Sequence, residues 1–362
     1  MKPKPEEIEI SVFGPGYGEC IVVHVGSGKW AIIDSCLDKN SNPVSIAYLE
    51  SLGVNVESDV ISVSASHWHD DHVKGLAKTI EACVSAKFSL GAALRSDEFV
   101  TFLFDHEAQH TQKLDKGGTE LLRCLKLMAK GRRNVSPLMA GTLIFDFDQG
   151  ELEHKNRVEL RALSPSGKDY TDFLKRIDRF YQSNHLEPKV RISDPNRNHL
   201  SVAMLLTIGN QSVLLGADLE QERAPNKGWN AVLVDRQDRP NSSHIFKIPH
   251  HGSKNAHNVD VWTKMIKQPT WSIVTPWVKG GNNLPLESDI KRIKGFPQNT
   301  CHITSTGFAR PSYKLDRETN KLIRKTGTKI RRSIFSEGHV TYRWIPGDQL
   351  PEVILSGSAK QL

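Results

Sequence analysis

Three histidines and two aspartates lie within one six-residue segment, His67-Trp-His-Asp-Asp-His72, which has the pattern H-x-H-x-D-H. His67 and His69 are two positions apart, so both side chains point the same way if the segment is extended. Asp71 and His72 follow directly and can face a second position a few ångströms away. Imidazole and carboxylate groups both suit Zn²⁺ and related divalent ions. The segment therefore predicts a centre that holds two metal ions side by side.

The residues around this motif predict strands that deliver polar groups to one place. Residues 59–66 form a short apolar run rich in β-branched residues, which predicts a buried strand ending at the metal motif. Residues 30–34 form a similar run that ends in Asp34. Farther along, residues 212–218 end in Gly-Ala-Asp218, and residues 245–254 run into the loop Pro-His-His-Gly-Ser-Lys.

Together these segments resemble the metallo-β-lactamase fold superfamily, in which H-x-H-x-D-H is the signature metal motif. The resemblance covers about residues 8–345 and implies an α/β fold, the four-layer αββα sandwich. It implies that Asp34 supports the metal loop without binding metal, and that Asp218 bridges two ions. The Gly-Ala-Asp and Pro-His-His-Gly-Ser-Lys segments, residues 12–24 and the Asn-His-Leu-Ser motif at 198–201 resemble the ComEC-type branch, named for the soluble domain of a competence DNA-uptake protein.

The resemblance and the chemistry of the side chains give a set of metal ligands, with one position left open. The predicted ligands are His67, His69, Asp71, His72, His199, Asp218 and His251. The open position is the third ligand of the first ion, where the branch motif favours Asn198. Imidazole is the better ligand for Zn²⁺, whereas an amide oxygen suits Mn²⁺ or Mg²⁺, so the chemistry favours His199.

Two residues are predicted to act in catalysis and two more to contact a phosphate. Asp71 belongs to the metal centre, and His250, next to the predicted ligand His251, could donate to a substrate oxygen or protonate a leaving group. The alternative for His250 is a hydrogen-bonded imidazole that supports the ligands. Ser253 and Lys254 could contact a phosphate, or they could be a helix cap and a surface lysine.

The bulk properties limit the class of protein. The chain has 362 residues, 40.5 kDa, a formal net charge of +7 and a pI near 9.0. No apolar run is long enough to cross a membrane, and the first residues lack the apolar core of a secretory signal. The five cysteines are odd in number and scattered, which favours free thiols in a reducing cytoplasm. We therefore expect a cytoplasmic protein without a membrane partner.

Basic residues are concentrated at 126–133 and at 321–332. Such clusters are often solvated faces, but beside a metal cleft they would attract a polyanion, because phosphate neutralisation supplies most non-specific affinity for nucleic acids.

The sequence predicts one domain over residues 1–350, with a helical insertion at about 96–130, a segment at about 165–195 that could form a lid, and a tail at 351–362. A helix is predicted at 259–267, and a closing edge strand at 335–344.

These features predict a dinuclear metal-dependent hydrolase with two divalent ions, Zn²⁺ first and Mn²⁺ second, that share an activated hydroxide. The predicted reaction is phosphodiester hydrolysis, with nucleic acid as the substrate. The alternatives are a small phosphodiester, another small ester or lactone, or a non-catalytic, metal-stabilised subunit that works with a partner protein in a bacterial defence or competence assembly.

Overall fold

Short apolar runs form strands along the whole chain. The computed structural model describes residues 1–14, 18–108, 116–149, 157–184, 197–235, 243–279, 282–305, 317–326, 337–348 and 351–362. The strands of these residues are β1 (Ile8–Phe13), β2 (Cys20–His24), β3 (Trp30–Ile33), β4 (Val60–Ala65), β5 (Lys87–Gly91), β6 (Val135–Leu138), β7 (Leu143–Asp148), β8 (Arg157–Ala162), β9 (Met204–Ile208), β10 (Gln211–Leu215), β11 (Ser243–Lys247), β12 (Ile266–Val274), β13 (Trp277–Lys279), β14 (Asn282–Leu284), β15 (Asn299–Ile303), β16 (Gly338–Trp344), β17 (Glu352–Gly357) and β18 (Lys360–Gln361).

Helices connect these strands. They are α1 (Val44–Ser51), α2 (Val56–Asp59), α3 (Asp70–Val73), α4 (Leu76–Ala82), α5 (Asp97–Ala108), α6 (Lys116–Lys130), α7 (Gly167–Asn184), α8 (Gly228–Asp235), α9 (Val259–Lys264), α10 (Glu287–Lys294) and α11 (Arg317–Thr326). Local chemistry explains their ends: the Asn258 side chain, for example, accepts hydrogen bonds from the first free N–H groups of α9.

Two eight-stranded sheets form the centre of the fold. The first has the order β17-β16-β1-β2-β3-β4-β5-β6, and the second has the order β18-β15-β12-β11-β10-β9-β8-β7. An apolar core between the sheets joins residues of both, such as Ile10 and Leu206. A second core packs helices α4 to α7 on the first sheet, and a third packs α8, α9 and α10 on the second. The layers are therefore helix, sheet, sheet and helix, which confirms the predicted αββα fold class.

The parallel parts of the two sheets position the predicted site. Strands β3 and β4 are parallel in the first sheet, and β10, β11 and β12 are parallel in the second. The polar segments follow the carboxyl ends of these five strands. In open α/β sheets, ligands bind at this end of the strands.

The predicted boundaries differ from the structure in three places. The tail predicted at 351–362 instead forms β17, which pairs with β16, and β18, which pairs with β15. Strand β16 is therefore not the edge. Helix α9 ends at Lys264, and the strand β12 begins at Ile266, where the sequence predicted a helix up to residue 267.

The predicted insertion and lid are partly described. Within 96–130, α5 and α6 pack on the first sheet, and Gly117 at the start of α6 lies against the metal segment: a Cβ there would be 1.9 Å from the Trp68 carbonyl oxygen. In the segment predicted as a lid, α7 buries Phe173 and Ile177, and residues 185–196 lie outside the described part. Whether any of this segment closes over the site stays a prediction.

No helix among the described residues is both long enough and apolar enough to span a bilayer.

Candidate metal centre

Six side chains that follow the carboxyl ends of β4, β10 and β11 converge into two groups that share one aspartate. The first group is His67, His69 and Asp218, and the second is Asp71, His72, Asp218 and His251. Within each group the ligand atoms lie within 4.8 Å of one another. Except for the half-buried His69, these side chains are buried. Asp218 belongs to both groups, as expected of a residue that bridges two ions.

The donor atoms face one another at short distances. Nε2 of His67 lies 3.0 Å from Nδ1 of His69. Nε2 of His72 lies 3.3 Å from Asp218 Oδ1, and Nε2 of His251 lies 3.1 Å from Asp71 Oδ2. Lone pairs of imidazole and carboxylate therefore converge on two neighbouring positions.

Asp34 orients two of these histidines. Its carboxylate accepts a hydrogen bond from Nδ1 of His72 at 2.7 Å, and it accepts the hydroxyl of Ser66 at 2.7 Å. The Ser66 oxygen in turn lies 3.0 Å from Nδ1 of His67. Both rings therefore carry their proton on Nδ1 and turn Nε2 toward the ligand groups. This supporting role of Asp34 agrees with the one that the resemblance implies.

A second carboxylate, Glu19, is connected through Thr275 to His251 of the second ligand group. The Thr275 hydroxyl donates to Glu19 Oε2 at 2.6 Å, and Nδ1 of His251 lies 3.2 Å from the same hydroxyl oxygen. The ammonium of Lys247 forms an ion pair with Glu19. The sequence analysis missed all three residues, because their partners are far apart along the chain and none lies in a metal-ligand pattern.

The backbone at the centre adopts uncommon conformations. Asp34 has φ 61°, Ala217 has φ 44°, and His250 and His251 have φ 47° and 55°. Non-glycine residues rarely adopt positive φ, which costs of order 1–3 kcal/mol per residue. Four such residues at the ends of the site strands mark loops whose shape is held by their surroundings.

The structure does not bring His199 into either ligand group. Its Nδ1 lies 2.6 Å from Glu222 Oε1 and its Nε2 lies 3.4 Å from Glu220 Oε2, so both ring nitrogens face carboxylates. Asn198 is the buried member of the pair, and its Oδ1 has no hydrogen-bond partner among the described residues. The choice between Asn198 and His199 at the open position stays a prediction.

His250 lies beside the centre without joining a ligand group. Its Nδ1 lies 3.2 Å from Glu220 Oε1, and its Nε2 lies 3.2 Å from the amide nitrogen of Asn198. Burial alone disfavours the imidazolium, but the hydrogen bond to Glu220 and the charge of Asp218 outweigh burial and raise the pKa of His250. Glu220 is a further residue that the sequence analysis missed.

Ser253 and Lys254 follow the ligand loop. The Ser253 hydroxyl accepts a hydrogen bond from the Asn255 N–H at 3.4 Å and caps a short 3-10 turn, while Lys254 is exposed. Contact of either residue with a phosphate stays a prediction.

Burial and neighbouring charges shift the pKa values of several groups in the centre. Burial and the nearby rings of His72 and His69 lower the pKa of His67 well below its ordinary value, which keeps a neutral, metal-binding imidazole. Burial works against a charged Asp218, yet the facing His72 and His251 hold its pKa well below the ordinary range. Burial also disfavours an imidazolium at His72, but Asp218, Asp71 and Asp34 raise its pKa well above the ordinary value.

The residues present fit a dinuclear metal site. Among the described residues, Asp71 Oδ1 is buried without a hydrogen-bond partner, and the buried Asp218 Oδ1 and His72 Nε2 face each other at 3.3 Å. Buried polar atoms are normally paired, because an unpaired one costs about 1–3 kcal/mol. Their alignment with imidazole and carboxylate donors matches the ligand chemistry of Zn²⁺ and its neighbours.

Comparison with known proteins finds similarity in structure only. No family model and no curated protein matches the chain. The chain is similar to the metallo-β-lactamase fold protein YhfI from Bacillus subtilis, with 12% identity and a TM-score of 0.43 over 83% of this chain and 98% of that one. It is also similar to the metallo-β-lactamase MIM-1 from Novosphingobium pentaromativorans, with 15% identity and a TM-score of 0.32 over 70% and 82% of the two chains. For the metallo-β-lactamase SMB-1 the identity is 12% and the TM-score 0.32, over 68% and 79%.

Proposed function

We propose that this protein is a dinuclear metal-dependent hydrolase that cleaves phosphodiesters, with nucleic acid as its substrate. The observation that carries the proposal is the pair of buried ligand groups that share Asp218. His67 and His69 would hold one ion, and Asp71, His72 and His251 would hold the other. Two such ions supply Lewis acidity toward a water and toward the oxygens of an in-line displacement.

The chain's own residues supply the rest of the proposed chemistry. Burial excludes bulk water from the ligands, and Asp34 fixes the orientation of two of them. His250 is half-buried at the edge of the centre and is held by Glu220. The contact of its Nδ1 with Glu220 places the ring where it could give a proton to the leaving oxygen of a substrate.

A polyanionic substrate is favoured by the charge of the chain and by its distribution. The net charge is +7. In the cluster at 126–133, Lys126, Lys130 and Arg132 are exposed, and in the cluster at 321–332, Lys321 and Lys325 are exposed. Arg133 has a structural role instead, since its guanidinium donates to the carbonyls of Ile80, Cys83 and Ala86. Residues 327–332 lie outside the described part.

The test is cleavage of single- and double-stranded DNA and RNA, and of bis-p-nitrophenyl phosphate, with Zn²⁺ or Mn²⁺ added. The inactive control is the His69→Ala/Asp71→Ala double variant, and the matched control is His244→Ala, a histidine on β11 outside both ligand groups. We expect metal-dependent cleavage of a polymer by the wild type and by His244→Ala, and none by the double variant.

Other outcomes point to the alternatives. Turnover of the small diester without cleavage of any polymer would replace the nuclease assignment with a small-phosphodiester hydrolase. Two bound ions with no turnover of any phosphodiester would contradict the proposal and favour a small ester or lactone substrate, or a metal-stabilised subunit that requires a partner protein.

A further inference from the structure

Glu19 is a fully buried carboxylate that touches the loops of the second ligand group. Its backbone N–H donates to the carbonyl of Asp71 at 2.7 Å, and its side chain accepts the hydroxyl of Thr275. Gly18, with φ 112°, permits this approach, because a Cβ there would lie 2.5 Å from Cys36 Cβ and 3.2 Å from the Asp71 carbonyl oxygen. Glu19 directly precedes β2 of the first sheet, while Thr275 follows β12 of the second, so this carboxylate joins the sheets at the metal centre.

Lys247 balances the charge of Glu19. It is the last residue of β11 and is fully buried, and its ammonium contacts Glu19 Oε2 and lies 3.3 Å from the carbonyl oxygen of Ala217. A buried charge is tolerated only when it is paired and hydrogen-bonded. Ala217 immediately precedes the bridging Asp218, so the ammonium also fixes the loop that carries that ligand.

The hydrogen bonds set the orientation of His251. Thr275 gives its hydroxyl proton to Glu19, so its oxygen can only accept from Nδ1 of His251, and the carbonyl oxygen of Thr275 lies at the same 3.2 Å distance from Nδ1. With the proton on Nδ1, Nε2 presents a lone pair toward Asp71 and Asp218. Partners of this kind typically change metal affinity 10- to 100-fold.

We propose that Glu19, charge-balanced by Lys247, is a positioning residue that sets the affinity of the second ligand group for its ion. The inference rests on the metal centre of the proposed function but not on its substrate. The contacts of this ion pair reach Asp71, Ala217 and, through Thr275, His251. Those of Asp34 reach His72 and, through Ser66, His67. Asp71 and His251 belong to the second group only, so loss of the pair should weaken the ion of that group more than the other.

The experiment is a Zn²⁺ titration of the metal-free full chain by competition with a chelator, for the wild type and for Glu19→Gln. Co²⁺ is used as a second probe, because its visible absorption bands report the ligand geometry at each position. The chain offers a matched control in Glu9, which is also fully buried and forms an ion pair with Arg343 at 2.6 Å between β1 and β16. The control variant is Glu9→Gln.

We expect Glu19→Gln to weaken one of the two Zn²⁺ affinities at least about tenfold and to shift the Co²⁺ bands of that position. We expect Glu9→Gln to lower the thermal stability without changing either affinity. If Glu19→Gln does not fold, the charge-neutral variant Glu19→Gln/Lys247→Met replaces it and is compared with Glu9→Gln/Arg343→Met.

Three results would overturn the inference in distinguishable ways. If the wild type binds fewer than two ions, the metal centre itself is wrong. If Glu19→Gln binds both ions as tightly as the wild type, Glu19 does not position the ligands. If Glu19→Gln and Glu9→Gln lose metal and thermal stability in parallel, the role of Glu19 is only structural.

Discussion

The ligands of the first sheet and those of the second are held by different kinds of support. On the first sheet, Asp34 follows β3 and reaches Ser66 at the end of the neighbouring β4, so the support is local and lies within one sheet. On the second sheet, Thr275 and Lys247 depend on Glu19, which crosses from the opposite sheet. Asp34 serves two histidines, His72 directly and His67 through Ser66, whereas Glu19 serves one histidine through Thr275 and is paired with a lysine. The ligands on the first sheet are therefore supported by a residue from a neighbouring strand. Those on the second sheet are supported only when the two sheets are packed together.

The largest effect should come from Asp34, because two ligands depend on it. Asparagine keeps the size and tolerates the positive φ of this position, but it removes the negative charge that His72 requires. We expect Asp34→Asn to lower metal affinity or phosphodiesterase kcat/KM about 100-fold. Metal content after dialysis and the rate on bis-p-nitrophenyl phosphate measure this. An effect smaller than that of Glu19→Gln would reverse the comparison.

A change in α6 should disturb only the half that carries His67 and His69. In Gly117→Ala, the new Cβ would meet the Trp68 carbonyl within 1.9 Å, so the metal segment or the helix must shift. We expect the free energy of unfolding to fall by about 1–3 kcal/mol or more, with weaker metal binding. Urea unfolding and metal titration give the two quantities. Gly131→Ala is the control, since a Cβ there meets only ordinary contacts at 3.4 Å and beyond; equal losses in both variants would argue against a specific clash.

The hydroxyls of Ser66 and Thr275 each connect a carboxylate to a histidine. Their removal should lower metal affinity by smaller and unequal amounts. Ser66→Ala leaves Nδ1 of His67 without the acceptor that connects it to Asp34, and we expect about a tenfold loss of metal affinity. Thr275→Val keeps the backbone carbonyl as an acceptor for His251, so the loss should be only about threefold, as for one neutral hydrogen bond. Parallel Zn²⁺ titrations of both variants test the order, and a larger loss for Thr275→Val would show that the carbonyl does not substitute.

A substitution of His24 should leave metal binding unchanged. It should instead alter how the stability of the folded protein depends on acidic pH. Burial lowers the pKa of His24 to about 4. Its Nδ1 donates to the carbonyl of Glu7 at 2.8 Å, and its Nε2 accepts the N–H of Gly28 at 3.2 Å, so a second ring proton would face a donor.

Because the unfolded chain binds this proton near pH 6.5, the stability that His24 contributes is present above pH 6.5 and is lost as the pH falls toward 4. The loss amounts to as much as about 3 kcal/mol. We expect His24→Gln to reduce this pH dependence in urea unfolding measured between pH 7 and pH 4. An unchanged slope would contradict the assignment of the proton to His24, and altered Zn²⁺ binding would contradict its separation from the centre.

The sequence predicted those parts of the site that depend on neighbours along the chain. The histidine motif, Gly-Ala-Asp218 and the loop of His251 each follow an apolar strand, and all appear at the carboxyl ends of parallel strands. Asp34 could be identified in the same way. Glu19 could not, because its hydrogen bond to Thr275 spans 256 positions and pairs residues that have no shared local pattern.

Errors in the fold have a similar cause. Strand β6 contains a proline and only four residues, and β17 has only exposed and half-buried positions, so neither has a strong apolar pattern. Their pairing partners decide their structure. The choice between Asn198 and His199 stays a prediction for a different reason: imidazole is the better ligand in isolation, but Glu220 and Glu222 face the two ring nitrogens of His199.

The pairing of β1 with β16 has a consequence for how the chain folds. Ile8 lies opposite Trp344, so β16, one of the two strands that pair with β1, is synthesised more than three hundred residues after β1 itself. Contacts of such large sequence separation slow folding, and an unpaired strand edge is a template for association with other chains. During synthesis, every ligand of the metal centre is available before this edge can close. We therefore expect a nascent chain in which the metal ligands are complete while one edge of the first sheet is still open to aggregation or to a chaperone.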